Sequence, residues 1–432
     1  MELTKTKFKK TEVGLIPEEW EVKKLVELTK LFTKQTGFDY SAYIKPSLVQ
    51  TKTNYTIPFL QNKDFNNKWI NFQTDYYIPL TVAKQFPKIL LDEKSLLISI
   101  SGSIGNIGVY DSEELAFTGG AIAILKFKDS KFIDWTMFFL KSNVGQKNLF
   151  GSVKAGSHQN LILDDIRKVN ISLPPFEEQK AIATALSDVD ELIANLEKLI
   201  EKKKALKQGA MQQLLTPPHK GGKRLEGFSG EWVEKNLSDF CALITKGTTP
   251  TSLGREFTTS GVNFIKAESI SQTGDILRDK VAFIDYDCHD LLSRSKLRSG
   301  DVLFTIAGVL GRIGLVQDEN LPANTNQAVA IIRLDLQKSV SKSFIFHTLR
   351  SKSTMRHIES ISVQGAQANF SLNDLNNLPI QIPIDIKEQA EIASVLSVLD
   401  SEVLKMVSKL DKLVRIKQGM MQELLTGRTR LI

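Results

Sequence analysis

At 432 residues the chain is too long for one ordinary hydrophobic core, so two or more domains are expected. With 42% hydrophobic and 24% charged residues it has a globular composition, which excludes disordered and collagen-like readings. The excess of 56 basic over 49 acidic residues, +7 net, suits a nucleic-acid partner without demanding one.

The N-terminus, MELTKTKFKK, is basic with no apolar stretch behind it, so it does not read as a signal peptide. No later run approaches the roughly 20 apolar residues that span a bilayer, and a cytoplasmic protein with no membrane partner is expected. A Trp-containing segment, Ile16-Pro17-Glu18-Glu19-Trp20, opens the first half. Strand-like runs follow at Ser95–Ile100 and Ala121–Phe127, then a helix near Ile133–Leu149. A polar stretch, Gly156–Asn160, leads to Pro174-Pro175, which reads as a turn before a helix. From Gln179 to Thr216 apolar residues recur in steps of four and three (Ile182, Leu186, Val189, Ile193, Leu196, Ile200), the pattern of a coiled-coil seam. At 1.5 Å per residue this makes a rod of roughly 60 Å. Pro217–Gly230, rich in Pro, Gly and Lys, looks like a hinge.

The same order then returns. Gly230-Glu231-Trp232 opens the second half, strands fall at Asp301–Ile306 and Ala328–Leu334, and a helix lies near Ser343–Ile361. Gln389–Thr426 aligns with Gln179–Thr216 without a gap, 210 positions on. Lys207-Gln208-Gly209 falls opposite Lys417-Gln418-Gly419, and Asp190 opposite Asp400. ISISGSIGNIGVY from Ile98 matches FTIAGVLGRIGLV from Phe304, with Gly102, Gly105 and Gly108 opposite Gly308, Gly311 and Gly314. Between these anchors the halves differ almost completely. A shared skeleton with divergent filling predicts two modules of one fold and two targets, and two matching seams in one chain can pair with each other.

Catalytic chemistry is not legible. No G-x-x-x-x-G-K-[ST] phosphate loop occurs, and the G-x-x-G-x-x-G spacing suits a turn between core strands better than a cofactor loop. Leu173-Pro174-Pro175-Phe176 lacks the polar first residue of an adenine-methyltransferase motif. The five histidines show no metal-ligand spacing, so no catalytic and no metal residue is assigned. Cys241 and Cys288 read as reduced structural thiols.

Two variable modules, each followed by a repeated helix ending KQGAMQQLLT or KQGMMQELLT, resemble the specificity subunits of type I restriction–modification enzymes. So do the opening Trp20 and Trp232, the Glu178-Gln179 and Glu388-Gln389 pairs after proline, and the basic Leu424–Arg430 ending. The resemblance covers essentially the whole chain, although Thr216-Pro217-Pro218-His219-Lys220 departs from the C-terminal Thr426-Gly427-Arg428. It implies α/β (α+β) target recognition domains in two pseudo-repeated copies, joined by two long helices pairing as an antiparallel coiled coil. The boundaries expected are 1–172 and 218–379 for the recognition domains, 173–217 and 380–432 for the helices.

The resemblance further implies a non-catalytic, DNA-binding subunit that recognises a bipartite, asymmetric site in double-stranded DNA. Two methyltransferase (modification) subunits would dock on the helices, with restriction motor-nuclease subunits where the system has them. No cofactor is expected in this chain; S-adenosylmethionine, ATP and Mg would belong to the partner subunits. A pseudo-two-fold protein places equivalent modules about 34–36 Å apart on one face of the duplex. A coiled-coil adaptor and the recognition part of a fused restriction–methylation enzyme are the alternative readings. Polar side chains beside glycines nominate Lys154, Ser157, His158, Gln159 and Asn160 as DNA contacts in the first module. In the second they nominate Arg312, Gln364, Gln367 and Asn369. Asn160 and Asn369 agree between the halves, which favours structure or backbone contact over base reading. Lys207, Gln208, Lys417 and Gln418 are candidates for partner docking or for setting helix register.

Overall fold

The computed structural model describes residues 7–66, 69–151, 160–335, 337–362 and 370–431. They fall into two compact units, Met1–Glu197 with Ser408–Ile432, and Lys198–Val407.

In the first unit the main strands are β1 (Thr29–Lys34), β2 (Thr56–Leu60), β3 (Tyr77–Pro79), β4 (Leu90–Leu91), β5 (Ser95–Ser99), β6 (Ile107–Tyr110), β7 (Ala116–Thr118) and β8 (Ile122–Phe127). They form two sheets, ordered β6-β5-β8-β1 and β3-β2-β7-β4. The runs around Ser95 and Ala121 are thus strands. Alternation along them explains the fold: Leu96, Ile98, Ala123 and Leu125 face one hydrophobic cluster, while Leu97, Ile122 and Ile124 face another. The central strands are buried on both faces, so their middle positions, Leu96, Leu97 and Ile98 on one and Ala123, Ile124 and Leu125 on the other, are apolar throughout.

The second unit repeats this with β9 (Cys241–Lys246), β10 (Val262–Ile265), β11 (Ala282–Ile284), β12 (Val302–Thr305), β13 (Ile313–Leu315), β14 (Ala323–Thr325) and β15 (Val329–Leu334). Sheet orders are β9-β15-β12-β13 and β11-β10-β14. The register is the same: Ala123 sits opposite Lys34 on β8 and β1, and Ala330 opposite Lys246 on β15 and β9. Likewise β2 runs parallel to β7 with Leu60 opposite Thr118, and β10 parallel to β14 with Ile265 opposite Thr325.

The glycine loops join β5 to β6 and β12 to β13. Gly102, Gly105, Gly308 and Gly311 take φ of 74°, 81°, 75° and 80°, the left-handed region that a side chain disfavours. The helix expected over Ile133–Leu149 is two helices, Ile133–Lys141 and Asn143–Phe150. Ser142 ends the first and caps the second, its hydroxyl accepting from the Gly145 N–H at 3.0 Å. Its counterpart is likewise split, into Lys342–Leu349 and Lys352–Ser362.

The long helices are α1 (Phe176–Leu214) and α2 (Ile386–Leu424), 39 residues each. In the first unit Ile182 and Leu186 of α1 share a core with Leu424 of α2. In the second, Met211 and Leu214 of α1 share one with Ile392 and Leu396 of α2. Early residues of one helix meet late residues of the other in each case, so the pairing is antiparallel. The linker after α1 is no free hinge: Leu225 packs on the second core, and the Lys223 N–H donates to the Gln213 carbonyl at 2.9 Å. Cys241 and Cys288 are unbridged. Among the described residues no helix is long and apolar enough to cross a membrane.

Candidate nucleic-acid interface

Each unit is anchored at the start of a long helix by a buried glutamate. Glu178, in the first turn of α1, accepts from the Trp20 indole N–H at 3.2 Å. The guanidinium of Arg430, beyond the end of α2, holds both its oxygens, with the Nη2 contact at 2.7 Å. In the second unit Glu388 of α2 accepts from Trp232 at 3.3 Å and from Arg224 of the linker at 3.0 and 2.9 Å. The adjacent glutamines brace the preceding prolines: Gln179 donates to the Pro174 carbonyl and Gln389 to the Pro383 carbonyl, both at 2.8 Å. Glu-Gln after proline is thus a socket for a tryptophan and an arginine that arrive from elsewhere in the chain.

Of the nominated DNA contacts, Lys154, Ser157, His158, Gln159, Gln364, Gln367 and Asn369 lie outside the described residues. Asn160 is exposed and lines a cleft of 510 Å³ with Lys34, Ser101, Gly120 and Arg167. Arg312 faces inward: its Nη1 donates to the Ile270 carbonyl at 2.9 Å, and its backbone N–H donates to the Thr305 hydroxyl at 2.8 Å. Both bonds brace the glycine loop from inside the second unit.

The helix candidates divide. Lys207 forms an ion pair with Asp400, which also takes Arg350 at 3.1 Å. Lys417 pairs with Asp190 at 2.5 Å. Gln208 is half-buried with its Nε2 unpartnered, and Gln418 is exposed. Leu192, Leu199 and Leu206, seven residues apart along α1, are 56%, 42% and 53% exposed, a stripe of apolar side chains open to solvent.

A second cleft in the first unit, of 890 Å³, shares Lys34 and Gly120 with the Asn160 cleft and adds Gln35, Tyr40, Asn62 and Lys63. Tyr40 stacks on Phe59 in its wall, 6.4 Å between ring centroids. Lys63 is ion-paired with Asp75, whose hydrogen bond holds the ammonium pKa above its usual value. No motif marks this cleft in advance, because Lys34-Gln35-Thr36-Gly37 reads as an ordinary strand end. Among the described residues no group of His, Cys, Asp and Glu is placed to hold a metal ion.

Two copies of one module, each with a polar rim and each pinned to a long helix, define a duplicated recognition protein. The family model of the type I restriction modification DNA specificity domain matches residues 17–207 and again 229–414. The putative type I restriction enzyme MjaX specificity subunit of Methanocaldococcus jannaschii is 24% identical over 98% of this chain and 97% of its own length. The MjaVIII specificity subunit of the same organism is 25% identical over 98% and 96%. The crystal structure of a type I restriction–modification S subunit from M. genitalium superposes with a TM-score of 0.58, covering 94% of this chain and 96% of that one at 15% identity. The chain belongs to the type I restriction–modification DNA specificity family, as a specificity subunit.

Proposed function

We propose that this subunit directs a modification complex to one bipartite, asymmetric sequence in double-stranded DNA, each module reading one half-site. In this reading residues 1–172 and 218–379 are the recognition domains, and 173–217 with 380–432 carry the partners. Two methyltransferase subunits dock on the helices, where the exposed Leu192, Leu199 and Leu206 offer an apolar stripe. Those subunits hold S-adenosylmethionine and methylate adenine. Motor-nuclease subunits, where present, supply ATP- and Mg-dependent cleavage. This chain performs no covalent step. Lys154, Ser157, His158, Gln159 and Asn160 in the first module, and Arg312, Gln364, Gln367 and Asn369 in the second, remain the proposed DNA-proximal positions.

The observation that carries the reading is one strand register holding different side chains at the polar rim of the two modules. Lys34 and Lys246 are equivalent, yet Gln35 follows the first and Gly247 the second. A duplicated fold with unlike rims suits two unlike half-sites. The test is genome-wide methylation mapping with the gene present and deleted. One bipartite adenine motif should vanish on deletion. An unchanged map, with the methyltransferase partner expressed, would overturn the proposal. Binding to duplex DNA should also weaken steeply with salt, which a protein-only adaptor would not show.

A further inference from the structure

Gln35 is 3% exposed, yet neither its side-chain oxygen nor its nitrogen has a hydrogen-bond partner. Burying an amide without partners is costly, and such groups in folded proteins call for an explanation such as a ligand or a water. Gln35 lines the 890 Å³ cleft, whose other wall includes Asn62, with its Oδ1 also buried and unpartnered. The exposed Lys34 lies on the same cleft, suited to a flanking phosphate, beside Lys63 with its counter-ion Asp75.

The second unit exchanges these chemistries across the same two strands. By register Gln35 corresponds to Gly247, while Gly119 and Gly120 correspond to Asn326 and Gln327. The first unit carries its amide after β1, facing glycines; the second carries its amides before β15, facing a glycine. In the second unit the small residue opposite is a steric requirement of the backbone. A Cβ on Gly247 would stand 1.9 Å from the Thr325 carbonyl oxygen and 2.7 Å from that of Asn326. Gln327 is exposed and bonded to the Thr249 hydroxyl, and the Asn326 Oδ1 is buried and unpartnered. Were this amide position structural, the two copies of one fold would have no reason to move it to opposite strands.

We propose that Gln35 and Gln327 are specificity-determining residues, each pairing its amide with an adenine edge, Gln35 in one half-site and Gln327 in the other. A glutamine amide matches adenine, donating to N7 and accepting from the N6 amine. Engagement turns the Gln35 side chain out of its buried position into the cleft it lines, which gives its amide the partners it lacks. The inference rests on the proposed reading of a bipartite DNA site and deepens it.

The test maps adenine methylation by the assembled complex carrying wild-type, Gln35→Leu, Gln35→Ala or Gln327→Ala subunit. Each Gln35 variant should relax one A·T position of one half-site, lowering discrimination there on the order of tenfold, and leave the other half-site intact. Gln327→Ala should relax the opposite half-site. Gln35→Leu keeps the side-chain volume and removes an unpartnered amide, so its thermal midpoint should equal or exceed that of wild type. A clear drop in that midpoint would reveal a structural partner for the amide and overturn the inference. Unaltered half-sites, or both variants altering the same one, overturn it too while leaving the bipartite reading intact. If the wild-type complex itself yields no bipartite motif, that reading fails and this inference with it.

Discussion

The two glutamate sockets repeat the same three residue types but differ in enclosure. Around Glu178 the enclosure is tighter: Trp20 is fully buried, Arg430 is 10% exposed, and its guanidinium also meets the exposed Glu19. Around Glu388 the carboxylate is just as buried, but Trp232 is half-buried and Arg224 is more open. The arginines differ in origin too. Arg224 arrives from the linker that follows α1, whereas Arg430 arrives from the last residues described in the chain, 252 positions from its partner. The first unit is thus completed only by the C-terminal segment, and the second by mid-chain residues. A buried carboxylate is tolerable only while its partners are present.

The largest expected effect breaks this comparison directly. Arg430→Ala leaves Glu178 buried with the Trp20 N–H as its remaining bond in the socket, and should cost about 3 kcal/mol. Arg224→Ala should cost clearly less, because that guanidinium is nearer solvent. Denaturant unfolding of the two variants decides it. Equal losses would mean that enclosure does not govern the sockets.

Next in size is a titration present in one unit alone. His347, in the Lys342–Leu349 helix, is 1% exposed, and its Nε2 meets the Ser397 hydroxyl at 3.0 Å. Burial pushes its pKa down to about 4, against the raising pull of Asp400 and with the help of Arg350 and Lys207. The equivalent position in the first unit is Phe138. Because the folded pKa lies below the unfolded one, the unfolded chain binds the proton more readily. This stability is therefore complete well above pH 6.5 and is lost as pH falls toward 4, with about 1.4 kcal/mol gone by about pH 5.5. His347→Phe should flatten that part of the pH–stability curve. An unchanged slope in the variant would assign the acid sensitivity elsewhere.

The sockets also show what the sequence could and could not reveal. The long helices were legible because a seam of period 3.5 repeats without a gap, and the double-faced strands because Leu96, Leu97 and Ile98 leave no polar position. Glu178-Gln179 and Glu388-Gln389 stood out as a recurring pair, but their purpose did not. The arginine that neutralises each glutamate lies in a segment that reads as a basic tail or a flexible linker, and nothing in spacing joins positions 178 and 430. The nominated DNA contacts were chosen by residue type beside glycine. That criterion found Asn160, on a cleft, and Arg312, whose bonds also brace a loop. It passed over Gln35, whose interest lies in a missing partner and in its register match to Gly247. Both are properties of the folded sheet.

The smallest effect concerns the seam lysines. Lys207 sits where a coiled coil prefers an apolar residue, and its counter-ion Asp400 holds two cations, Lys207 and Arg350. Removing either cation leaves the other in place, so Lys207→Met should cost about 1 kcal/mol or less. The added methionine also packs better on the seam, which offsets part of that loss. Removing both is different in kind. Lys207→Met with Arg350→Met leaves Asp400, 21% exposed, without either cation, and beside a His347 held neutral by burial. The double variant should therefore lose more than the sum of the singles, and denaturant unfolding of the three variants measures the excess. Strict additivity would show that Asp400 is solvated well enough to need neither cation. Lys207 would then add nothing to the register of the pair through its charge.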